Sequence, residues 1–178
     1  MSKIVAIVVL LGLASCQSEV ERSPTTWADE IQELVASHPM IRDEEQVRSL
    51  IPYESITIER GPCFGSCPVY KMTINRNGTA LLTTDHLLPR EALRYSASIG
   101  LKDYARLAQV VEIARRAAPR AEYMGQWTDD FGVTITAKTA HGAWRVHDYG
   151  QVAPAELWAL EELLHHTRSD LQWAGGVR

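Results

Sequence analysis

From Ser55 the apolar residues fall into an alternation of period two, and a chain patterned this way is committed to a half-buried sheet. Ile56 and Ile58 alternate with Thr57 and Glu59. After a Pro- and Gly-rich break, Tyr70, Met72 and Ile74 alternate with Lys71, Thr73 and Asn75. Asn77-Gly78 follows, a strong hairpin signal because both residues tolerate the positive φ of a type I′ turn, so 79–84 reads as the returning strand. Residues 85–99 are ambiguous, with a further strand suggested around 94–96. Leu101, Tyr104, Ala108, Val111 and Ala114 then recur at helical spacing, predicting a helix over 101–117 that stops before Pro119. Phe131, Val133, Ile135 and Ala137 alternate again, and Ala140-His141-Gly142 turns the chain into a strand over 144–149. Pro154 suits the first turn of a last helix, about 154–170, whose face carries Leu157, Leu160, Leu164 and Leu171. The order β-β-β-α-β-β-α predicts an α+β domain: a mainly antiparallel sheet of about five strands with two helices packed on it.

A length of 178 residues allows one such domain plus short appendages. With 46% hydrophobic and 22% charged residues, the chain is unlike collagen, coiled coils, disulfide-dense scaffolds or disordered segments. Its net charge of −4 lacks the basic footprint of a nucleic-acid binder. Ahead of the sheet pattern, Trp27, Ile31, Leu34 and Val35 follow a candidate N-cap at Thr26, and a second short helix over 43–50 carries Val47 and Leu50.

The N-terminus reads as an export signal. Lys3 precedes an apolar run over 4–13, about half the length of a membrane-spanning helix and suited to a signal-peptide core. The run ends in Leu13-Ala14-Ser15-Cys16, which resembles the bacterial lipobox. The expected organisation is a lipoprotein signal peptide over 1–15, a polar tether over 16–25, a helical segment over 26–51 and a single α+β domain over 52–171. Cys16 would carry the diacylglycerol and palmitate chains, and stable anchoring needs more than one chain. Gln17, rather than Asp, points to the periplasmic face of the outer membrane. The expected partners are the lipid bilayer, through acylated Cys16, and an envelope protein, with no nucleic acid.

Of three cysteines, lipidation consumes one and leaves Cys63 and Cys67 as a pair in an oxidising compartment. Gly61, Pro62, Gly65 and Pro68 permit the sharp turn between them. The string Cys-Phe-Gly-Ser-Cys-Pro-Val-Tyr over 63–70, with the following strand and Asn77-Gly78, resembles a bacterial family, the domain of unknown function 6438. The similarity continues through Thr128-Asp129, Val146-His147-Asp148-Tyr149-Gly150, and Pro154 with Leu157, covering about residues 52–170. It implies exported or lipid-anchored proteins and brings no activity with it.

Two readings of the cysteine pair stand open. One is a structural disulfide, Cys63 to Cys67. The other is a thiol-redox or copper-handling pair: Cys-x-x-x-Cys-Pro also resembles thioredoxin-fold copper-delivery sites, with His141 or His147 as the distant ligand. The strand-like alternation after Pro68 favours the first. His141 and His147 share the parity of Arg145 and Tyr149, the polar side of their hairpin. Asp148 shares the parity of Trp144 and Val146 and suits a partly buried, turn-capping role. Asp129-Asp130 is a close carboxylate pair without a second cluster, read as a solvated approach to a strand. His165 and His166, being consecutive, diverge around a helix. Arg115, Arg116 and Arg120 complement a helix C-terminus. With no phosphate-cradling glycine loop, Ser-His-Asp order or zinc-spaced ligands, no cofactor or catalytic residue is expected. Tyr70, Asp129, Asp148 and Tyr149 remain as a candidate functional surface. The function expected is that of an envelope lipoprotein acting as a non-catalytic binding or structural module.

Overall fold

The computed structural model describes residues 44–85 and 92–177. The lipobox, the tether and the helix expected after Thr26 lie outside the described residues. In chain order the elements are α1 (Glu44–Leu50), β1 (Tyr53–Arg60), β2 (Tyr70–Asn75), β3 (Thr79–Thr84), β4 (Arg94–Ser98), α2 (Leu101–Ala117), β5 (Glu122–Met124), β6 (Gly132–Thr139), β7 (Gly142–Tyr149), α3 (Ala155–Asp170) and β8 (Ala174–Val177). The strands form one mixed sheet of order β5-β7-β6-β1-β2-β3-β4-β8.

The α+β class and both long helices match the sequence reading, but the strand count does not: the sheet has eight strands, not five. β4 occupies the ambiguous stretch. β5 is three residues long, too short to display alternation, and it pairs with β7 in parallel, the one departure from antiparallel pairing. β8 hides in Ala-Gly-Gly-Val, where glycines argue against a strand; it adds to β4 as an edge. Leu171 caps α3 rather than lying within it.

Each long helix carries the chain across the sheet, α2 from β4 to β5 and α3 from β7 to β8. Both pack into one core and so cover the same face. Ile56, Ile58, Met72, Ile74, Ile135 and Val146 point into that face and are buried against Tyr104, Ala108 and Val111 of α2 and Leu157, Leu160 and Leu164 of α3. The Tyr104 hydroxyl donates to the Tyr53 carbonyl at 2.8 Å, and the Tyr53 hydroxyl donates to Glu112 at 2.7 Å, tying α2 to the start of β1. The opposite face is polar, with a Thr57–Thr73 hydroxyl contact of 3.0 Å and a Lys71–Glu59 ion pair of 3.0 Å.

α1 is held by a buried cation. Arg48 is 5% exposed; its guanidinium donates to the carbonyls of Arg76 (2.9 Å) and Ile99 (3.3 Å) and to Glu44 (2.6 Å). Gly78 serves this contact as well as the turn: its φ is +88°, and a Cβ there would stand 3.0 Å from an Arg48 nitrogen. Removing Arg48 would leave two carbonyls without their charged donor. Arg48→Ala should lower stability by about 2 kcal/mol, read as a shifted urea midpoint at unchanged slope. Glu44→Ala, which removes only the exposed end of the cluster, should cost less than about 1 kcal/mol.

Candidate functional site

The register of the sheet brings four side chains into one row on the helix-covered face. Asp148 of β7 faces Val133 of β6, Val133 faces Arg60 of β1, and Arg60 faces Tyr70 of β2. All four have inward parity, and the row closes the end of the sheet from which the cysteine loop emerges. α3 lies over it with Glu161, His165 and Arg168, each three or four residues from the next along one helical stripe. An otherwise apolar core thus ends in a polar corner.

The contacts within it are specific. The Tyr70 hydroxyl lies 3.0 Å from Nδ1 of His165. The Arg168 guanidinium carbon stands 4.8 Å from the centre of the Tyr70 ring, and that of Arg60 stands 3.7 Å from the centre of the Phe131 ring. Asp148 is 2% exposed and accepts the backbone N–H groups of Val152 (3.1 Å) and Ala153 (3.3 Å), fixing the turn that leads into α3. Burial pushes its carboxyl above the ordinary range against those two bonds. Glu161, 4% exposed, is pushed up to about 8, first by burial and then by the Asp148 charge. Burial raises the Tyr70 phenol, opposed by Arg168 and Arg60. Burial, followed by the Arg60 and Arg168 charges, lowers the His165 imidazole.

The residues singled out from the sequence divide between three places. Tyr70 and Asp148 belong to the polar row. Tyr149 and His147 lie on the opposite face of β7: His147 Nδ1 is 2.9 Å from the Thr134 hydroxyl, and the Tyr149 hydroxyl accepts the Asp130 N–H at 3.3 Å. A Cβ on Gly132 would come within 2.7 Å of the His147 ring, so the glycine makes room for it. Asp129 is exposed in the loop before β6, where its carbonyl accepts the Phe64 N–H at 3.4 Å. His141 is exposed in the β6–β7 turn. Cys63 and Cys67 are joined by a disulfide in the loop between β1 and β2. Cys16 lies outside the described residues.

Sequence reading passed over Arg60, Glu161, His165 and Arg168 as members of one site. The signal for Arg60 was its parity with Ile56 and Ile58. For the helix it was the spacing of Glu161 and Arg168 from Leu157 and Leu164, four residues in each case, which places them on the apolar stripe.

Glu161 makes the corner sensitive to pH. Folded, it keeps its proton up to about pH 8; unfolded, it releases it near its ordinary 4.5. Between those values the unfolded chain binds fewer protons, so stability falls as pH rises through this window and levels off above it. Urea unfolding should show a wild-type decline approaching about 1.4 kcal/mol per pH unit at its steepest. Glu161→Gln should remove most of that slope, leaving a contribution of the same sign from Asp148 and one of opposite sign from His165, whose lowered imidazole makes stability rise with pH.

A protein-family model described as "Domain of unknown function (DUF6438)" matches residues 54–168. No curated protein and no solved structure matches the chain.

Proposed function

We propose, for a chain that belongs to the family of the domain of unknown function DUF6438, that it works as a lipid-anchored protein of the bacterial envelope, its folded domain a non-catalytic binding or structural module. The observation that carries this reading is the Cys63–Cys67 disulfide. Of the three cysteines in the chain it accounts for two, leaving Cys16, at the end of the lipobox-like string, as the thiol available for acylation. A bridge of this kind also suits an oxidising compartment. The anchor then lies at the bilayer, and Gln17 favours the periplasmic face of the outer membrane.

A thiol-redox or copper-handling role for the same pair is the weaker reading. The bridge sits between two strands, without the helix N-terminus that depresses a reactive thiol. His147, the distant ligand such a site would use, faces the polar side of the sheet and is engaged by Thr134.

Mass spectrometry of the membrane-extracted protein should find an N-terminal Cys16 carrying diacylglycerol and a further acyl chain, and Cys16→Ser should abolish both modifications. An unmodified N-terminus beyond residue 16 would overturn the anchoring. Replacing Cys63 and Cys67 together by serine should cost about 2 kcal/mol, the chain-entropy value for so short a loop, and leave the fold intact. A reduction potential near about −120 mV, or stoichiometric copper on the reduced protein, would instead establish the thiol reading.

A further inference from the structure

Two arginines converge on one phenol. Arg60 comes from the end of β1 and Arg168 from the last turns of α3, and both act on the Tyr70 hydroxyl. Among the described residues neither forms an ion pair, and the Nε–H of each is shielded from solvent without an acceptor. Such an arrangement is costly. Like charges repel, and donors sealed from water without a partner lose their hydration for nothing in return.

The neighbours do not repair it. Glu161 acts on Arg60 from α3, but burial holds it protonated up to about pH 8, so near neutrality it supplies little negative charge. His165 is pushed toward its neutral form by burial and then by the same two arginines, so it adds no counter-charge. Arg60 lies over the Phe131 ring and Arg168 over the Tyr70 ring, contacts that leave both positive charges without a counter-ion. The shielding is confined to the Nε atoms: as whole residues Arg60, His165 and Arg168 are half-buried, so an anion would meet the remaining guanidinium nitrogens.

We infer that this corner is a binding site for a phosphate dianion, either free phosphate or a phosphomonoester, gripped by Arg60 and Arg168 with Tyr70 and His165 as neutral partners. Two unneutralised cations match a group carrying nearly two negative charges near neutral pH, whereas a carboxylate would cancel only one. Its several acceptor oxygens suit donors arriving from a strand on one side and a helix on the other. The inference rests on the reading of the domain as a non-catalytic binding module and gives that module a ligand class.

Titration calorimetry on the full chain in detergent micelles tests it, in phosphate-free buffer. One arm uses inorganic phosphate; the other uses dihexanoyl phosphatidic acid kept monomeric. Saturable binding in either arm is expected, weakened at least about tenfold in Arg60→Gln and in Arg168→Gln and changed by less than about twofold in Arg106→Gln, an exposed arginine on α2. Tighter binding of the lipid would assign the site to a headgroup, and equal or tighter binding of phosphate to a free anion. Circular dichroism confirms that each variant is folded. Should Arg60→Gln fail to fold, Arg168→Lys serves beside Arg168→Gln: it keeps the charge without the fork and should lose less affinity. No saturable binding in either arm, or binding unchanged by substitution of both arginines, would overturn the site. Incubation with p-nitrophenyl phosphate separates this failure from that of the underlying reading. Release of nitrophenol that depends on Arg60 and Arg168 would retain the site and overturn its non-catalytic role.

Discussion

β1 is hydrogen-bonded on both sides, to β2 through Ser55–Arg60 and to β6 over almost its whole length, and through it the two halves of the sheet meet. From Ser55 onward its side chains alternate, so a slip of one residue against either neighbour would send Ile56 and Ile58 to the polar face and turn Thr57 and Glu59 toward the helices. The helices follow from that register. α2 and α3 each span the sheet from one half to the other, and they find an apolar surface only where the halves present their buried residues on the same side. The polar row is a consequence of the same alignment. Asp148, Val133, Arg60 and Tyr70 come from four strands, and β1 places them in line.

The two ends of the covered face treat buried charge in opposite ways. At the start of β1, Arg48 reaches two carbonyls and Glu44, so an almost fully buried cation is satisfied and fastens α1 to the hairpin. At the other end of the strand, roughly 25 Å away by extended-chain geometry, Arg60 and Arg168 are left with Nε–H groups that no described residue accepts. A fold able to satisfy one buried arginine with backbone carbonyls is under no general constraint to leave two others wanting. The difference lies in neighbours: α1 brings Arg48 to chain turns rich in free carbonyls, whereas α3 brings Arg168 over a sheet whose carbonyls are engaged in the ladder.

Much of this was legible before the structure. Alternation located β1, β2 and β6, the turns at Asn77-Gly78 and Ala140-His141-Gly142 located β3 and β7, helical spacing located α2 and α3, and the parity of Asp148 with Val146 pointed to a partly buried carboxylate capping a turn. What escaped did so for identifiable reasons. Met124 and its two predecessors are too few to show a period, and Gly175-Gly176 carries no side chains to alternate. The corner escaped because its members are far apart in sequence: Arg60 and Arg168 are each unremarkable charged residues at the end of an element, and only the β1–β2 register and the packing of α3 on the sheet bring them to one phenol. Tyr149 and Tyr70 were grouped as one surface, although the intervening parity sends Tyr149 to the opposite face.

The disulfide gains meaning from where its loop begins and ends. Residues 61–69 leave from Arg60 and return at Tyr70, and these two are direct partners across β1 and β2. A connection of that length is longer than a tight hairpin requires and leaves the last pair of the ladder prone to fraying. The loop is instead fastened at several points: Gly61 donates to the Gly132 carbonyl at 2.8 Å, Phe64 to Asp129 at 3.4 Å, and Asp85 reaches back to Val69 at 2.9 Å, while the Cys63–Cys67 bridge closes its middle. These restraints act on the terminal pair of the ladder, where Arg60 must hold its position over Phe131 and Tyr70 its contact with His165. A bridge that adds little to global stability can therefore matter locally, by limiting how far the two strands part at the corner where the cations meet.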